Sequence, residues 1–554
     1  MQNYTWKPKN EAPKTMDDVY SQLLKSRGLD THLIYNRYSL KDILKKPKDL
    51  NITKDQVKSF SNIFSKIKKS GGNIIIHGDY DVDGITSTAI AYESLITLGF
   101  KKKSIKTFIP NRFRHGYGFS DKSFDEIKLN FPPNKDSLII LLDCGITSIK
   151  VIKKAIRSGY KVVIIDHHQQ KKKLPNADVI FWNDNITASA LTFFVFKYIE
   201  INILGNTNLS KSVDLAGLGY ICDMGDLSYP IGKVLTKYSL DALNNNTRIG
   251  IKNLIGDKKI RSYEAGWVIG PRINASGRME DASKSLDLLL KNNNTNIIAS
   301  ELNNLNQLRQ DQTKSMYEVA INGISNRNFV GIDTNQKVVI VHSKDFHEGV
   351  IGLVSSKLTK SFNKPSICIS WEGEFGKASC RSVTGVSILS LLEKVSNFLE
   401  SFGGHEAAAG FVIKRKNYEE FEKKLTQIAL KEIDSSLLEP TISYDFNIKK
   451  EFLNFDLLNF IEKLEPFGNG NPEPLFALKN INLEDFRMLG EKGSHISFKV
   501  RGLDIKSVYF GGGEILPSLT TENMYDLLFN FNKNEWKGAV YPQLIIKDLR
   551  PSEF

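Results

Sequence analysis

The chain of 554 residues carries 75 Lys and Arg against 62 Asp and Glu, a formal charge of +13, with 41% hydrophobic and 25% charged residues. That length suits three or four domains, each burying its own core, and the balance excludes a chain disordered throughout. The cationic excess favours a polyanionic partner such as nucleic acid. Cys144, Cys222, Cys368 and Cys380 make no C-x-x-C pair and no disulfide framework, which removes zinc ribbons and suits a reducing, cytoplasmic setting. The longest apolar runs fall far short of the ~20 residues that a membrane helix needs. Met1 to Asn10 lacks the apolar core of a signal peptide, so no membrane partner is expected.

Residues 1–65 read as a polar helical segment, with Val19, Leu23 and Leu24 at roughly helical spacing. From Asn73 the texture changes. Short apolar runs at Ile74–Ile76, Ile105–Ile109, Leu138–Leu142, Val162–Ile165 and Val179–Phe181 alternate with helical stretches such as Ser87–Leu98 and Ser148–Ser158. Continuous apolar strands between helices predict a parallel α/β sheet covered on both faces, over 66–290. An amphipathic stretch from Asn296 to Ile324 predicts a connecting helix within 291–328. A second α/β lobe follows over 329–436, with strands at Val338–Val341 and Ser366–Ser370 and helices at Val350–Leu358 and Tyr418–Leu430. Over 437–554 the pattern turns to alternating strands, as in Ile496 to Arg501, and predicts a small β-barrel.

Acidic and histidine residues cluster where the predicted strands end. Ile74–Ile76 runs into His77, Asp79, Asp81 and Asp83, and Leu138–Leu142 runs into Asp143. Val162–Ile165 runs into Asp166, His167 and His168, and a later apolar segment ends at Asp223. In a parallel sheet these ends converge at one edge, where ligands bind. A single Asp after a strand is usually a cap, and a lone His pair is usually packing; the joint occurrence is what points to a site. Carboxylates crowded together repel unless a cation compensates. Asp81, Asp83, Asp143 and Asp223 with His77 and His167 suit a pair of divalent metals, and oxygen and imidazole donors favour Mn²⁺ or Mg²⁺. Two such ions polarise a phosphoryl oxygen and acidify water.

His77-x3-Asp81-x-Asp83, Asp143, Asp166-His167-His168 and Asp223 resemble the four motifs of the DHH phosphoesterases. The segments from Glu348 to Gly352 and from Phe402 to Phe411 resemble the DHHA1 substrate-binding domain. Pro271 to Arg278 and Pro466 to Pro474 are similar to segments of the RecJ-type exonucleases in that family. The resemblance implies two α/β lobes joined by a long helix, followed by an OB-like barrel that binds nucleic acid. It implies metal binding by His77, Asp81, Asp83, Asp143, His167 and Asp223, with Asp143 and His168 catalytic and His168 close to the scissile phosphate. The implied activity is 5′→3′ hydrolysis of single-stranded DNA to mononucleotides in DNA repair and recombination, with a helicase and a single-strand-binding protein as companions. The fourth motif departs from the family's Gly-Thr-Val-Ala-Asp, reading Gly219-Tyr-Ile-Cys-Asp223, with Asp226 nearby.

The donors expected to hold the strand are spread along the chain. Lys377, Ser379 and Arg381 alternate and would share one strand face. Arg272 and Arg278 are placed in a Gly/Asn/Ser-rich turn, and Arg112 in Pro-Asn-Arg-Phe-Arg-His-Gly-Tyr-Gly. Guanidinium groups grip phosphate bidentately. Gly403 and Gly404, read as preceding a helical Ala run, would offer backbone N–H groups to a phosphate, beside His405. In the barrel, Lys499, Arg501 and Lys506, with Phe498, Tyr509 and Trp536 interleaved, suggest a basic, stacking groove, most of these aromatics being expected in the core. A small-molecule or nano-RNA phosphoesterase of the same superfamily is the first rival, and a non-catalytic DNA-binding subunit the second. The barrel and the charge weigh against the first, and the complete acidic and histidine set against the second.

Overall fold

A short strand β1 (Thr5–Pro8) and the helices Met16–Lys25, Leu40–Leu44 and Lys54–Ser70 open the chain. The strand was not expected in the helical segment, and the last helix runs past residue 65. Capping boxes at Thr15 and Thr53 start two of these helices, each satisfying backbone N–H groups that a helix start leaves open. Phe60 and Phe64 of Lys54–Ser70 pack on Phe196, and Phe60 also on Phe181, so this helix is part of the first α/β domain. The structure, a computed structural model, describes residues 4–31, 38–134, 136–326, 336–491, 493–536 and 538–552, with 324–326 and 536 in backbone only.

The five predicted strands form as β2 (Ile74–Gly78), β3 (Ile105–Phe108), β4 (Leu138–Leu142), β5 (Lys161–Asp166) and β6 (Val179–Trp182). They make one parallel sheet in the order β3-β2-β4-β5-β6. β2 and β4 are buried at every position, as expected of strands covered on both faces. The long helix predicted from Asn296 runs from Thr295 to Asn326.

The second lobe is a mixed sheet of β7 (Val339–Ser343), β8 (Ser366–Glu372), β9 (Phe375–Arg381), β10 (Leu399–Gly404) and β11 (Ala408–Lys414), in the order β10-β11-β9-β8-β7. Only β7 and β8 are parallel. Here two expectations fail. The Ala run after Gly404 is strand β11, hairpinned to β10, and Arg272 and Arg278 lie on a helix, Gly270–Met279, not in a turn. In the first case Ala409, Phe411 and Ile413 are buried while Ala408, Gly410, Val412 and Lys414 between and beside them are only half-buried, and period two wins over the helix propensity of alanine.

The last strands are β12 (Thr441–Tyr444), β13 (Phe446–Asn447), β14 (Phe476–Leu489), β15 (His495–Val500), β16 (Lys506–Tyr509), β17 (Met524–Trp536) and β18 (Ala539–Pro551). The order β14-β15-β16-β18-β17, with β17 pairing back to β14, closes a ring of strands, and β13 extends it beside β14. Phe476, Leu483, Phe498, Phe529 and Phe531 fill its interior, together with Leu458 and Ile461 of the helix Phe455–Leu464 and Val19 and Leu23 of Met16–Lys25. Phe498 is therefore core and not a stacking surface. The side chain of Trp536 lies outside the described residues.

The chain divides into two compact units. One holds the parallel sheet and the barrel (6–248, 257–270 and 442–554), the other the connecting helix and the second lobe (1–5, 249–256 and 271–441). Within the first, Arg27 forms a bidentate pair with Asp445 at 2.9 and 3.0 Å, the two side chains only 1% and 2% exposed. Asp445 also accepts from the Leu475 N–H at 2.9 Å. Arg27→Met leaves that carboxylate buried without its cation, so it should destabilise this unit by about 3–5 kcal/mol. Denaturant unfolding should show the loss, and adding Asp445→Asn should recover much of it.

Candidate active site

The strand order reverses direction about β2, which has β3 on one side and β4 on the other, and in such sheets the crevice at the carboxyl ends of these strands takes the ligand. His77 lies in the end of β2, Asp143 directly follows β4, Asp166 ends β5, and Asp223 closes the helix Val213–Cys222. Asp81 caps the helix Val82–Thr97, its Oδ1 accepting from the N–H groups of Asp83 and Gly84 at 3.0 and 3.2 Å. Asp83 in turn accepts from the N–H groups of Ala188 and Ser189, at 2.7 and 3.0 Å, at the start of the helix Ala188–Leu204. The positive pole of that helix end supports the carboxylate. Gly84 is required by space, since a Cβ there would lie 2.4 Å from the backbone nitrogen of Asp79. Asp143 adopts φ 58°, a left-handed conformation that is uncommon for non-glycine residues and that Asp tolerates better than most.

The side chains converge. His167 Nε2 stands 3.1 Å from Asp143, 3.5 Å from Asp223 and 3.9 Å from Asp83. Donor atoms gather in three overlapping sets: Asp143 with His167 and His168, Asp83 with His167 and Asp223, and Asp79 with Asp81 and Asp143. Burial, reinforced by neighbouring carboxylates, pushes Asp143 and Asp223 well above the usual carboxylate range and raises Asp79 to about 8. Burial also lowers His167. His168 goes the other way. Burial alone would depress it, but its hydrogen bond to Asp166 at 2.8 Å and that residue's charge raise it to about 9. Its other ring nitrogen meets the Tyr117 hydroxyl at 2.7 Å.

Asp79, Tyr117 and the anchoring role of Asp166 were not assigned from sequence. Asp79 could have been, because Asp79, Asp81 and Asp83 alternate directly after an apolar strand. His77 belongs to none of the three sets; it is fully buried, with Nδ1 3.5 Å from Cys144 Sγ and Nε2 unpartnered. Asp79 Oδ1 and Asp143 Oδ1 are likewise buried without a hydrogen bond. Buried acceptors left open in this way, in a set of oxygens and imidazoles, fit hard divalent cations.

The loop after Asp223 is held from the barrel side. Asn469 donates to the Met224 carbonyl at 2.7 Å, and the Leu227 N–H donates to the Asn469 carbonyl at 2.8 Å. Asp226 is engaged here and not with the donor sets, accepting from the N–H and hydroxyl of Ser228 at 2.8 and 2.7 Å. Gly470, at φ 73°, leaves no room for a side chain, because a Cβ would sit 1.7 Å from Asp226 Oδ1. Pro466 to Pro474 thus positions the loop that follows Asp223.

Of the expected strand-binding residues, four come together around Glu348 to Gly352. Arg278 donates to the Gly349 carbonyl at 3.5 Å, Lys377 pairs with Glu348, and Arg381 donates to Ser379 Oγ at 3.2 Å beside Gly352. Arg381 also lines a cleft of about 330 Å³ with Ser356, Thr359, Lys360 and Ser382. Arg272 is bonded to Asn303 at 2.7 Å, and Gly404 and His405 sit at the β10–β11 hairpin. In the parallel-sheet unit, Arg112 lies over the Tyr80 ring at 4.9 Å. In the barrel, Lys499 and Lys506 are register partners; Lys499 is bound to Asp504 at 2.6 Å.

Two substitutions separate direct from supporting roles. Saturating Mn²⁺, at 100 times its Kd, should stabilise the wild type by about 2.7 kcal/mol. Asp143→Ala should abolish that gain. Gly470→Ala should keep it but require higher metal concentrations, as calorimetric titration would show.

The comparisons with known proteins agree with this geometry. Family models match the DHH family N-terminal domain at residues 73–221, the DHHA1 domain at 335–431 and the RecJ OB domain at 444–548. The single-stranded-DNA-specific exonuclease RecJ of Bacillus subtilis is 30% identical over 498 residues, 87% of this chain, which spans 62% of that protein's length. The protein of the same name from Salmonella typhimurium is 26% identical over 584 residues, covering 98% of this chain and 97% of that one. The crystal structure of Thermus thermophilus RecJ with Mn²⁺ matches the fold at a TM-score of 0.80 and 24% identity, over 100% of this chain and 80% of that one. With parallel-sheet, second-lobe and barrel domains all matched in succession, the chain belongs to the RecJ family of DHH phosphoesterases.

Proposed function

We infer that this chain is an exonuclease that hydrolyses single-stranded DNA from its 5′ end to mononucleotides, with two divalent ions, Mn²⁺ or Mg²⁺. The observation that carries this reading is the gathering of Asp79, Asp81, Asp83, Asp143, His167 and Asp223, of which Asp79, Asp83 and Asp143 are buried. Relatives named as single-stranded-DNA-specific exonucleases, and RecJ structures holding Mn²⁺ or Mg²⁺, support it. A cytoplasmic role in repair and recombination, beside a helicase and a single-strand-binding protein, belongs to the same reading. None of the described helices is long and apolar enough to cross a membrane.

Asp81, Asp83, Asp143, His167 and Asp223 would hold the ions, with Asp79 among the carboxylates at Asp81 and Asp143. When bound, the ions polarise phosphoryl oxygens and make water nucleophilic near neutral pH. The chain's own contribution is positional. Asp166 fixes one side of the His168 ring, and its charge keeps that ring protonated at neutral pH. A fixed cation at the phosphodiester offsets the charge that builds on its oxygens during attack. Water adds to phosphorus and the bond to the 3′ oxygen breaks, releasing a 5′-mononucleotide and leaving a 5′ phosphate on the shortened strand. Arg278, Ser379 and Arg381, with Arg112, are the proposed donors for that group.

End-labelled single-stranded and duplex DNA, incubated with Mn²⁺ or Mg²⁺, tests the whole reading. A 5′ label should leave first as a mononucleotide, duplex should resist, and excess chelator should stop the reaction. Charged hydrogen bonds are worth roughly 1.5–3 kcal/mol, so Arg381→Ala should lower kcat/KM on 5′-phosphorylated strands by about tenfold to a hundredfold. The loss should be much smaller on 5′-hydroxyl strands. Equal losses on both would move the terminal pocket elsewhere.

A further inference from the structure

Residues 257–270 pack in the same unit as the carboxylate cluster, and no role has yet fallen to them. The segment contains a π-helix, Glu264–Ile269, a form that often marks a functional position. One side of it is fixed to the helix Val213–Cys222. Cys222 Sγ donates to the Ala265 carbonyl at 3.5 Å, a Cβ on Gly266 would lie 3.3 Å from Ile221, and one on Gly270 would lie 2.6 Å from Cys222 Sγ. These contacts are with the two residues immediately before Asp223. The other side carries Tyr263 and Trp267, one helical turn apart and 64% and 70% exposed. Met224, next to Asp223, is 61% exposed.

A single exposed apolar residue means little. Two large aromatics on one helix face, fixed to the turn that delivers a candidate metal ligand, are a different matter. Both rings are exposed on a segment packed against that turn, and Lys258, Lys259 and Arg261 lie exposed just ahead of them. Lys259 and Arg261 also lie within electrostatic range of Glu465, so the aromatic pair, and not the cations, defines the surface.

We propose that Tyr263 and Trp267 form a stacking platform for unpaired nucleobases of the strand entering the site. The proposal rests on the exonuclease reading above and deepens it. Every base presents a π-face, so such a platform is tolerant of sequence. A duplex keeps its bases stacked on one another and has no free face to give. Selection for single strands would then arise partly at this surface, before any phosphodiester reaches the carboxylates.

The test uses the full-length protein in chelator, where nothing is cleaved, and fluorescence anisotropy of two 5′-phosphorylated strands of about 20 nucleotides. One is oligothymidylate and the other an abasic strand of the same backbone. Wild type should bind the thymidylate strand more tightly than the abasic one. Trp267→Ala should weaken thymidylate binding about tenfold and leave abasic binding unchanged, in line with the loss of one stacked base. Trp267→Phe should retain most of the affinity, and Tyr263→Ala provides a second, independent loss in a protein that melts like wild type. Equal weakening on both strands, or no change on either, overturns the platform. A wild type that discriminates between the strands but cleaves neither in Mn²⁺ would overturn the exonuclease reading and leave the platform standing.

Discussion

The carboxylates at the ends of β2 and β4 are the constraint around which the parallel-sheet unit is built. Asp79, Asp83 and Asp143 are each at most 2% exposed, and the side-chain cations that pair with Asp83 and Asp143 among the described residues are imidazoles, which stand among further carboxylates. Burying an ionised carboxylate costs several kcal/mol even after the surroundings relax. Two devices reduce that cost without neutralising the cluster. Backbone N–H groups at the start of the helix Ala188–Leu204 bind Asp83, and those of Ile146, His167 and His168 bind Asp166. The rest is supplied by the sheet, whose strands Ile74–Gly78 and Leu138–Leu142 are buried throughout and hold the chain ends in place against the repulsion. What remains uncompensated is a need for positive charge, and this makes the pocket a cation site.

The barrel has a structural part in meeting that constraint. Sequence alone suggests an appended nucleic-acid-binding module, separable from the catalytic lobe. The contacts describe something more integrated. Arg27 reaches Asp445, Lys233 donates to the Leu464 carbonyl, and Asn469 bridges to the loop after Asp223. Lys233 is buried, and burial lowers it to about 8, so its tie to a barrel-side carbonyl is one that water does not replace. Removing the barrel would therefore strip partners from Arg27, Lys233 and the loop after Asp223 together. Loss of activity on truncation would not by itself measure lost grip on DNA.

Much of this was legible in the sequence, and the reasons differ by element. Continuous Ile, Val and Leu runs ending in Asp or His gave the parallel sheet and its functional edge, because buried parallel strands need apolar residues on both faces. Sequence separation hid the supporting shell. Nothing local to Asn469 or Gly470 signals Met224 or Asp226, which lie more than two hundred residues away and meet them only in the fold. The Ala408 run was misread because alanine favours helices in isolation, whereas pairing with β9 and β10 decides its state in the lobe. The glycines and serine around Arg272 and Arg278 suggested a turn, yet Ile273 and Ala275 pack inward and Ser276 is bonded to Ser285, which holds a helix. Tyr117 gave no signal at all, since an aromatic in a Gly-rich loop is ordinary until its hydroxyl is seen at His168.

The two units have opposite electrostatic designs. One presents crowded oxygens that lack a cation; the other gathers Arg278, Lys377, Ser379 and Arg381 around Glu348 to Gly352, donors suited to an anion. Each chemistry is one that the proposed substrate, a phosphodiester strand with divalent counter-ions, would supply. The second set is also tethered, with Arg381 donating to Ser379 and to the Cys380 carbonyl. A tethered guanidinium loses little freedom on gripping phosphate, unlike a solvated lysine. Under the proposed function, each cleavage would recreate the same 5′ phosphate, so a donor set fixed in advance would meet an identical group at every cycle, its ordering cost met once, in folding.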